Sequence, residues 1–154
     1  MTKQPTTIMS IMQSELLREK LLERRAIAFA KSILGVKKSS VERIGRDDFI
    51  QHRSLLAKHA NLDSLPVKKW DLDTYEEHEV ANWFASRLAQ VIEDAYYVPF
   101  EVPFIVRVEV EDALEFINSL WSIHGTHDMT IFIKEPIWVI DLQEREDGIY
   151  YFEA

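Results

Sequence analysis

A chain of 154 residues, 47% hydrophobic and 29% charged, is long enough for one domain to bury a core without staples. It contains no cysteine, which excludes disulfides, thiolate metal sites, iron–sulfur clusters and a cysteine nucleophile. The net charge of −8 is divided along the chain: residues 1–70 carry 14 Lys+Arg against 7 Asp+Glu, whereas residues 71–154 carry 4 against 19.

In chain order, Ser10 to Leu34 predicts a long amphipathic helix. Ser10 and Gln13 form a capping box, and Gly35 stands where a left-handed C-cap belongs. Met12, Leu16, Leu17, Leu21, Leu22, Phe29, Ile33 and Leu34 recur mostly at spacings of three and four. Lys37, Lys38, Ser39 and Ser40 read as a basic loop; no glycine cradle surrounds them to hold a phosphate. A shorter helix is predicted from Asp47 to Ala60, with Asp47 and Asp48 suiting its positive end. Asn61 to Trp70, with Pro66, reads as a connection. Asp73 as N-cap and Glu76 at N3 then open a helix to about Ala95, with Val80, Trp83, Phe84, Leu88, Val91, Ile92 and Ala95 on its core stripe.

Pro99 and Pro103 flank an aromatic passage, after which Phe104 to Val110 alternates as a strand. Asp112 and Glu115 make another capping box, starting a short helix to about His124 that Gly125 ends. Met129–Ile133, Ile137–Leu142 and Ile149–Glu153 are β-rich runs, and Gln143–Gly148 is a hairpin loop ending in Asp147–Gly148. Helices first and strands afterwards predict an α+β fold: one domain over 1–154, N-terminal helices packed on one face of a small C-terminal antiparallel sheet. No apolar run approaches the ~18 residues of a membrane span, and the first residues lack a signal-peptide apolar region. A cytoplasmic protein with no membrane partner is expected.

Few residues point to chemistry. Glu77, His78 and Glu79 are adjacent, so on a helix they point in different directions rather than to one metal. His124, His127 and Asp128 meet around a predicted turn. They form a solvated turn, converge on a metal, or make a small site in which His124 is a general base oriented by Asp128. Ser119 and Ser122 lack a nucleophile elbow, and 4 glycines in all supply no phosphate loop. Neither a catalytic residue nor a cofactor or metal is predicted. The basic first half, including Arg24, Arg25, Lys31, Lys37, Lys38, Arg43 and Arg46, suggests a phosphate track, but the net charge repels a polyanion.

The acidic second half is more informative. Asp71, Asp73, Glu76, Glu77 and Glu79 crowd one helix entrance, and Glu144, Glu146 and Asp147 crowd the hairpin. Dipole complementation accounts for Asp73 and Glu76, but not for the hairpin acids. Concentrated like charge suits either solubility or a cationic partner. Trp70, Tyr75, Tyr150 and Tyr151 lie near enough in sequence to serve as aromatic anchors or as core.

The stretch from His127 to Glu153, with IFIKEPIWVIDLQEREDGIYYFE and its aromatic tail, resembles small immunity proteins that bacteria pair with secreted or contact-delivered toxins. Small size, acidic balance and missing cysteine add to the resemblance, which is general and transfers no functional residue. It implies an inhibitor that covers a basic toxin, commonly a nuclease. The expected partner-binding residues are Asp71, Asp73, Tyr75, Glu76, Glu77, Glu79, Glu144, Glu146, Asp147 and Tyr150. The alternatives are a small enzyme with the site at His124, His127 and Asp128, and an oligomeric structural adaptor.

Overall fold

A computed structural model describes residues 3–61, 63–91 and 95–154. Among them are four helices and a seven-stranded antiparallel sheet, an α+β fold as expected. The elements are α1 (Lys3–Ser32), β1 (Val36–Arg43), α2 (Ile50–His59), β2 (Lys68–Asp71), α3 (Glu77–Val91), β3 (Tyr96–Pro99), β4 (Phe104–Val110), α4 (Ala113–His124), β5 (Met129–Ile133), β6 (Trp138–Arg145) and β7 (Gly148–Glu153). The spatial order is β1-β4-β3-β5-β6-β7-β2.

Alternation along the central strands decides where the layers go. Val106, Val108, Ile131, Ile140, Leu142 and Tyr151 face one side, where they form the main core with Phe29, Ala30 and Ile33 of α1, Val80, Phe84 and Leu88 of α3, and Phe116, Ile117 and Leu120 of α4. Burial of each large apolar side chain contributes about 1.5–3 kcal/mol. The intervening residues Tyr97, Ile105, Phe132 and Val139 face the other side, against Phe49, Leu55 and Leu56. The helices therefore do not share one face: among the described residues, α2 is the helix that covers the second. Amphipathic spacing reveals that a helix has a buried stripe, but not which face of a two-sided sheet receives it.

Several expected boundaries are corrected. Lys37–Ser40 is not a loop but the middle of β1, with Val36 and Val41 packed on the core and the Ser39 hydroxyl donating to Ala30 O at 3.0 Å. The connection to Trp70 ends in β2, which pairs with β7 through Trp70↔Ile149 and Asp71↔Gly148. The aromatic passage contains β3. Each of these strands is short or polar, so local propensity was outweighed by pairing with a neighbour distant in sequence.

Helix starts move for similar reasons. Ser10 lies inside α1 rather than capping it. Residues 47–48 stay outside α2 because the Asp48 carboxylate accepts from Gly45 N at 2.6 Å, closing a turn. Asp73 is not an N-cap: the Thr74 and Tyr75 amides donate to Asp71 O, and α3 begins at Glu77. The predicted positions Ile92 to Asp94 lie outside the described residues. The α4 boundaries agree with the sequence: Asp112 accepts from Glu115 N at 3.1 Å, and Gly125 closes the helix in the left-handed region. The β6–β7 loop is shorter than expected, since Arg145 pairs with Gly148 and leaves only Glu146 and Asp147 to turn.

Candidate functional site

The β6–β7 turn, the end of β2 and the start of α3 come together at one end of the sheet. Leu72 N donates to Asp147 O at 3.0 Å, continuing the β2–β7 ladder into the turn. Gly148 permits this approach, because a Cβ there would stand 2.0 Å from Trp70 O. The two acidic runs, far apart in sequence, thus meet in space.

His127 joins them. Its Nδ1 is 3.0 Å from Glu144 Oε1 and its Nε2 is 3.6 Å from Glu77 Oε1. The imidazole is largely enclosed, edge-on to Trp121 at 4.8 Å and to Tyr75 at 6.1 Å between ring centroids. Glu144 is held on its own side by a backbone bond, its N–H donating to Asp128 Oδ1 at 2.7 Å.

On the other side of the turn, Lys69 Nζ lies 2.9 Å from Asp147 and 3.7 Å from Asp71. The Tyr150 hydroxyl donates to Asp147 Oδ2 at 2.6 Å. That hydroxyl and the Lys69 ammonium hold the Asp147 carboxyl below its ordinary 3.8. The Tyr150 ring carries Arg145 at 4.4 Å and Lys69 at 5.1 Å, so cations already lie against it.

The predicted residues therefore separate into groups. Glu77, Glu144 and Tyr75 gather around His127; Asp71, Asp147 and Tyr150 gather around Lys69. Among the described residues, Asp73, Glu79 and Glu146 are exposed and form no ion pair. Glu76 is 3.3 Å from His78. Of the other aromatic candidates, Tyr151 is wholly core and Trp70 packs against it, edge-on to Trp83 at 5.3 Å.

Two metal or catalytic arrangements can be judged from the same geometry. The donor atoms of Glu76, His78 and Glu79 lie within 4.8 Å of one another, all on exposed side chains. The sequence argument missed this because Glu76 precedes the helix, where helical spacing does not apply. Exposed acidic groups approach one another in this way without any ion, so the triplet assigns no metal. His124 and Asp128 line one depression of about 230 Å³ with Leu56, Pro99 and Thr130. No hydrogen bond joins them among the described residues. His124 instead packs edge-on to Phe29 at 5.4 Å, and His127 belongs to the acidic end.

Sequence reasoning also missed a buried polar cluster under α2. Asp141 accepts from the Thr130 hydroxyl at 3.0 Å and from Gln143 Nε2 at 2.6 Å. Gln143 Oε1 accepts from Arg145, and both Gln143 and Arg145 donate to His59 O. His59, buried and stacked on Phe152, leaves its Nδ1 without a partner among the described residues. Burial pushes the Asp141 carboxyl up and the His59 imidazole down. Asp141 lies within an apolar-looking run, and the only available signal was its alternation with Ile140 and Leu142.

The chain matches no protein-family model, no curated protein and no solved structure. The functional reading therefore rests on the geometry above.

Proposed function

We propose that the end of the sheet carrying Glu77, Glu144, Glu146, Asp147 and Asp71 is a docking surface for a basic protein, and that the chain acts as an immunity-type inhibitor of a cationic toxin domain such as a nuclease. The observation that supports this is the convergence of two acidic runs on His127. Carboxylates from α3, β6 and the hairpin turn are presented together by rigid elements, while Asp73, Glu79 and Glu146 have no cation of their own among the described residues. Such a surface would speed encounter with a positive partner and exclude anionic ones. Lys69 neutralises part of it, so on this reading the partner's cations would meet the α3 and β6 side.

The reading is tested with whatever basic toxin domain a gene adjoining this chain's own encodes. Co-expression should restore growth, and the association rate should fall steeply as salt rises from about 50 to 500 mM, where the screening length drops to ~4 Å. Glu77→Lys with Glu144→Lys should abolish rescue while leaving the circular dichroism spectrum unchanged. Rescue that survives the double reversal, or an association rate indifferent to salt, would exclude the acidic end as the contact.

A further inference from the structure

At the opposite edge of the sheet, β1 is an eight-residue strand that pairs only with β4 among the described residues. No residue of it is fully buried. An open strand of this length is normally defended, by charge or by a bulge. Here the bulge lies at one end, between Val36 and Lys38, and leaves Lys38 to Arg43 regular.

From Lys38 to Glu42 the charge pattern is self-complementary, and Arg43 falls opposite a second copy's bulged Lys37. Lys38, Ser40 and Glu42 alternate with Ser39 and Val41, which lie on the α1 side. An antiparallel copy of the strand related by a two-fold axis through Ser40 places Lys38 directly opposite the second copy's Glu42, and Glu42 opposite its Lys38. Opposite charges so placed stabilise a ladder.

The helix above the edge fits the same axis. Ala30 and Glu19 mark the side of α1 that lies on β1, through Ser39 and through Arg43 at 2.7 Å, while Arg25 reaches Glu101 of the β3–β4 loop on the far side. At roughly 100° per residue, Met9, Leu16 and Ile27 then fall on the side overhanging the open edge, and all three are exposed, from 38% for Ile27 to 60% for Met9. Leu34, 56% exposed, continues the row. Ile27 and Leu34 stand close enough to the strand to meet a second copy, whereas Leu16 and Met9, roughly 16 and 27 Å along the helix from Ile27 at 1.5 Å per residue, extend past the paired segment. Ile27 lies near Ser40 along the strand, so an antiparallel pair of α1 helices centred there sets Glu23 beside the second copy's Lys31.

We propose that the protein is a two-fold homodimer formed by β1 against β1, giving one continuous fourteen-stranded sheet with the α1 helices paired above it. The proposal does not depend on the inhibitor reading, whose surface is at the β2 end. It leaves both acidic ends facing outward and free.

Light scattering on the full chain between about 1 and 100 μM should give twice the 18.1 kDa of one chain. The chain has no cysteine, so Ser40→Cys supplies a single thiol at the axis, where directly opposed Cα atoms stand about 4.5–5.5 Å apart and disulfide geometry is satisfied. It should oxidise to a covalent dimer, whereas Lys38→Cys, roughly 13 Å from its own copy at ~3.3 Å per residue, should not. Ile27→Glu should raise the dimer Kd at least about tenfold. A mass of one chain across that range overturns the proposal, as do equal cross-linking by both cysteine variants and species that grow beyond two chains, the sign of head-to-tail pairing.

Discussion

His127 Nδ1 lies 3.0 Å from Glu144 Oε1, and this contact fastens the turn before β5 to the edge of the hairpin. The same ring reaches Glu77 and is enclosed by Trp121 and Tyr75. It is both a packing element and the bridge between the acidic runs. His127→Ala should therefore destabilise by about 1–3 kcal/mol, mostly through lost aromatic contact and unpaired polar groups. Urea unfolding measures it. A double-mutant cycle with Glu144→Ala should return a coupling of roughly 0.5 kcal/mol or more; strict additivity would show the contact to be incidental.

A stronger lock stands where α3 meets β7. Glu153 accepts from Arg87 Nε and from Arg87 Nη2 at 2.6 Å, and from the Tyr151 hydroxyl at 2.5 Å. Tyr151 is fully buried against Trp83 and Phe84. Burial alone would raise the Glu153 carboxyl, but the bonds from Arg87 and Tyr151 outweigh it and hold the group below its ordinary 4.5. A carboxylate depressed in the fold contributes stability above its unfolded value, and that contribution is lost as pH falls through the folded one. Glu153→Ala should cost about 2–4 kcal/mol at pH 7, and Glu153→Gln should flatten the decline in stability below pH 4.5. A decline unchanged in Glu153→Gln would assign it to other carboxylates.

How much of this was readable beforehand depends on how locally each feature is encoded. The α4 caps were legible because Asp112, Glu115 and Gly125 act within one turn of their own helix. Strand β4 was legible because Val106 and Val108 alternate with Arg107 and Glu109. Strands β1 and β2 were hidden: their residues are polar, and only pairing with β4 and β7, dozens of residues away, makes them strands. The acidic residues were identifiable one by one, but their meeting on His127 is a property of topology. The Asp141 cluster was invisible for the same reason, since Thr130, Gln143 and His59 come from three elements.

That cluster gives opposed pH responses. The folded His59 is held below its ordinary 6.5 by burial, with Asp141 acting weakly the other way. Acidification below 6.5 protonates the unfolded chain first, so stability falls as pH drops through this window. The Asp141 carboxyl is held above 3.8 by burial, against the bonds from Gln143 and Thr130. Its ionisation costs stability at neutral pH, and some is recovered as pH falls towards 3.8 from above. His59→Leu should remove the slope just below pH 6.5 with little loss at pH 7, because the replaced ring has an Nδ1 unpaired among the described residues. Asp141→Asn should behave as a near-isostere that cannot ionise: its Oδ1 accepts from Gln143 Nε2, and its Nδ2 donates to the Thr130 hydroxyl, which rotates to accept, so the recovery of stability towards pH 3.8 should disappear. Chemical denaturation from pH 8 to 4 resolves all three proteins.

The acidic end itself depends on one backbone approach. Gly148 has φ +156°, and a Cβ there would meet Trp70 O at 2.0 Å and Trp70 C at 3.1 Å. Both are backbone atoms of the paired strand, so no side-chain rotation relieves the contact; β2 must move away from β7. Gly148→Ala should thus break Asp71↔Gly148 and Trp70↔Ile149 and cost about 2–4 kcal/mol. Since Trp70 packs edge-on to Trp83, and Trp83 to Tyr151, the displacement should appear in near-ultraviolet circular dichroism while the far-ultraviolet signal, carried by the other strands and the helices, persists. Amide exchange should quicken at Lys69 to Leu72 but not in β4. An unchanged near-ultraviolet spectrum would mean that β2 is not seated on β7 as described, and Lys69 would then lose its reach to Asp147.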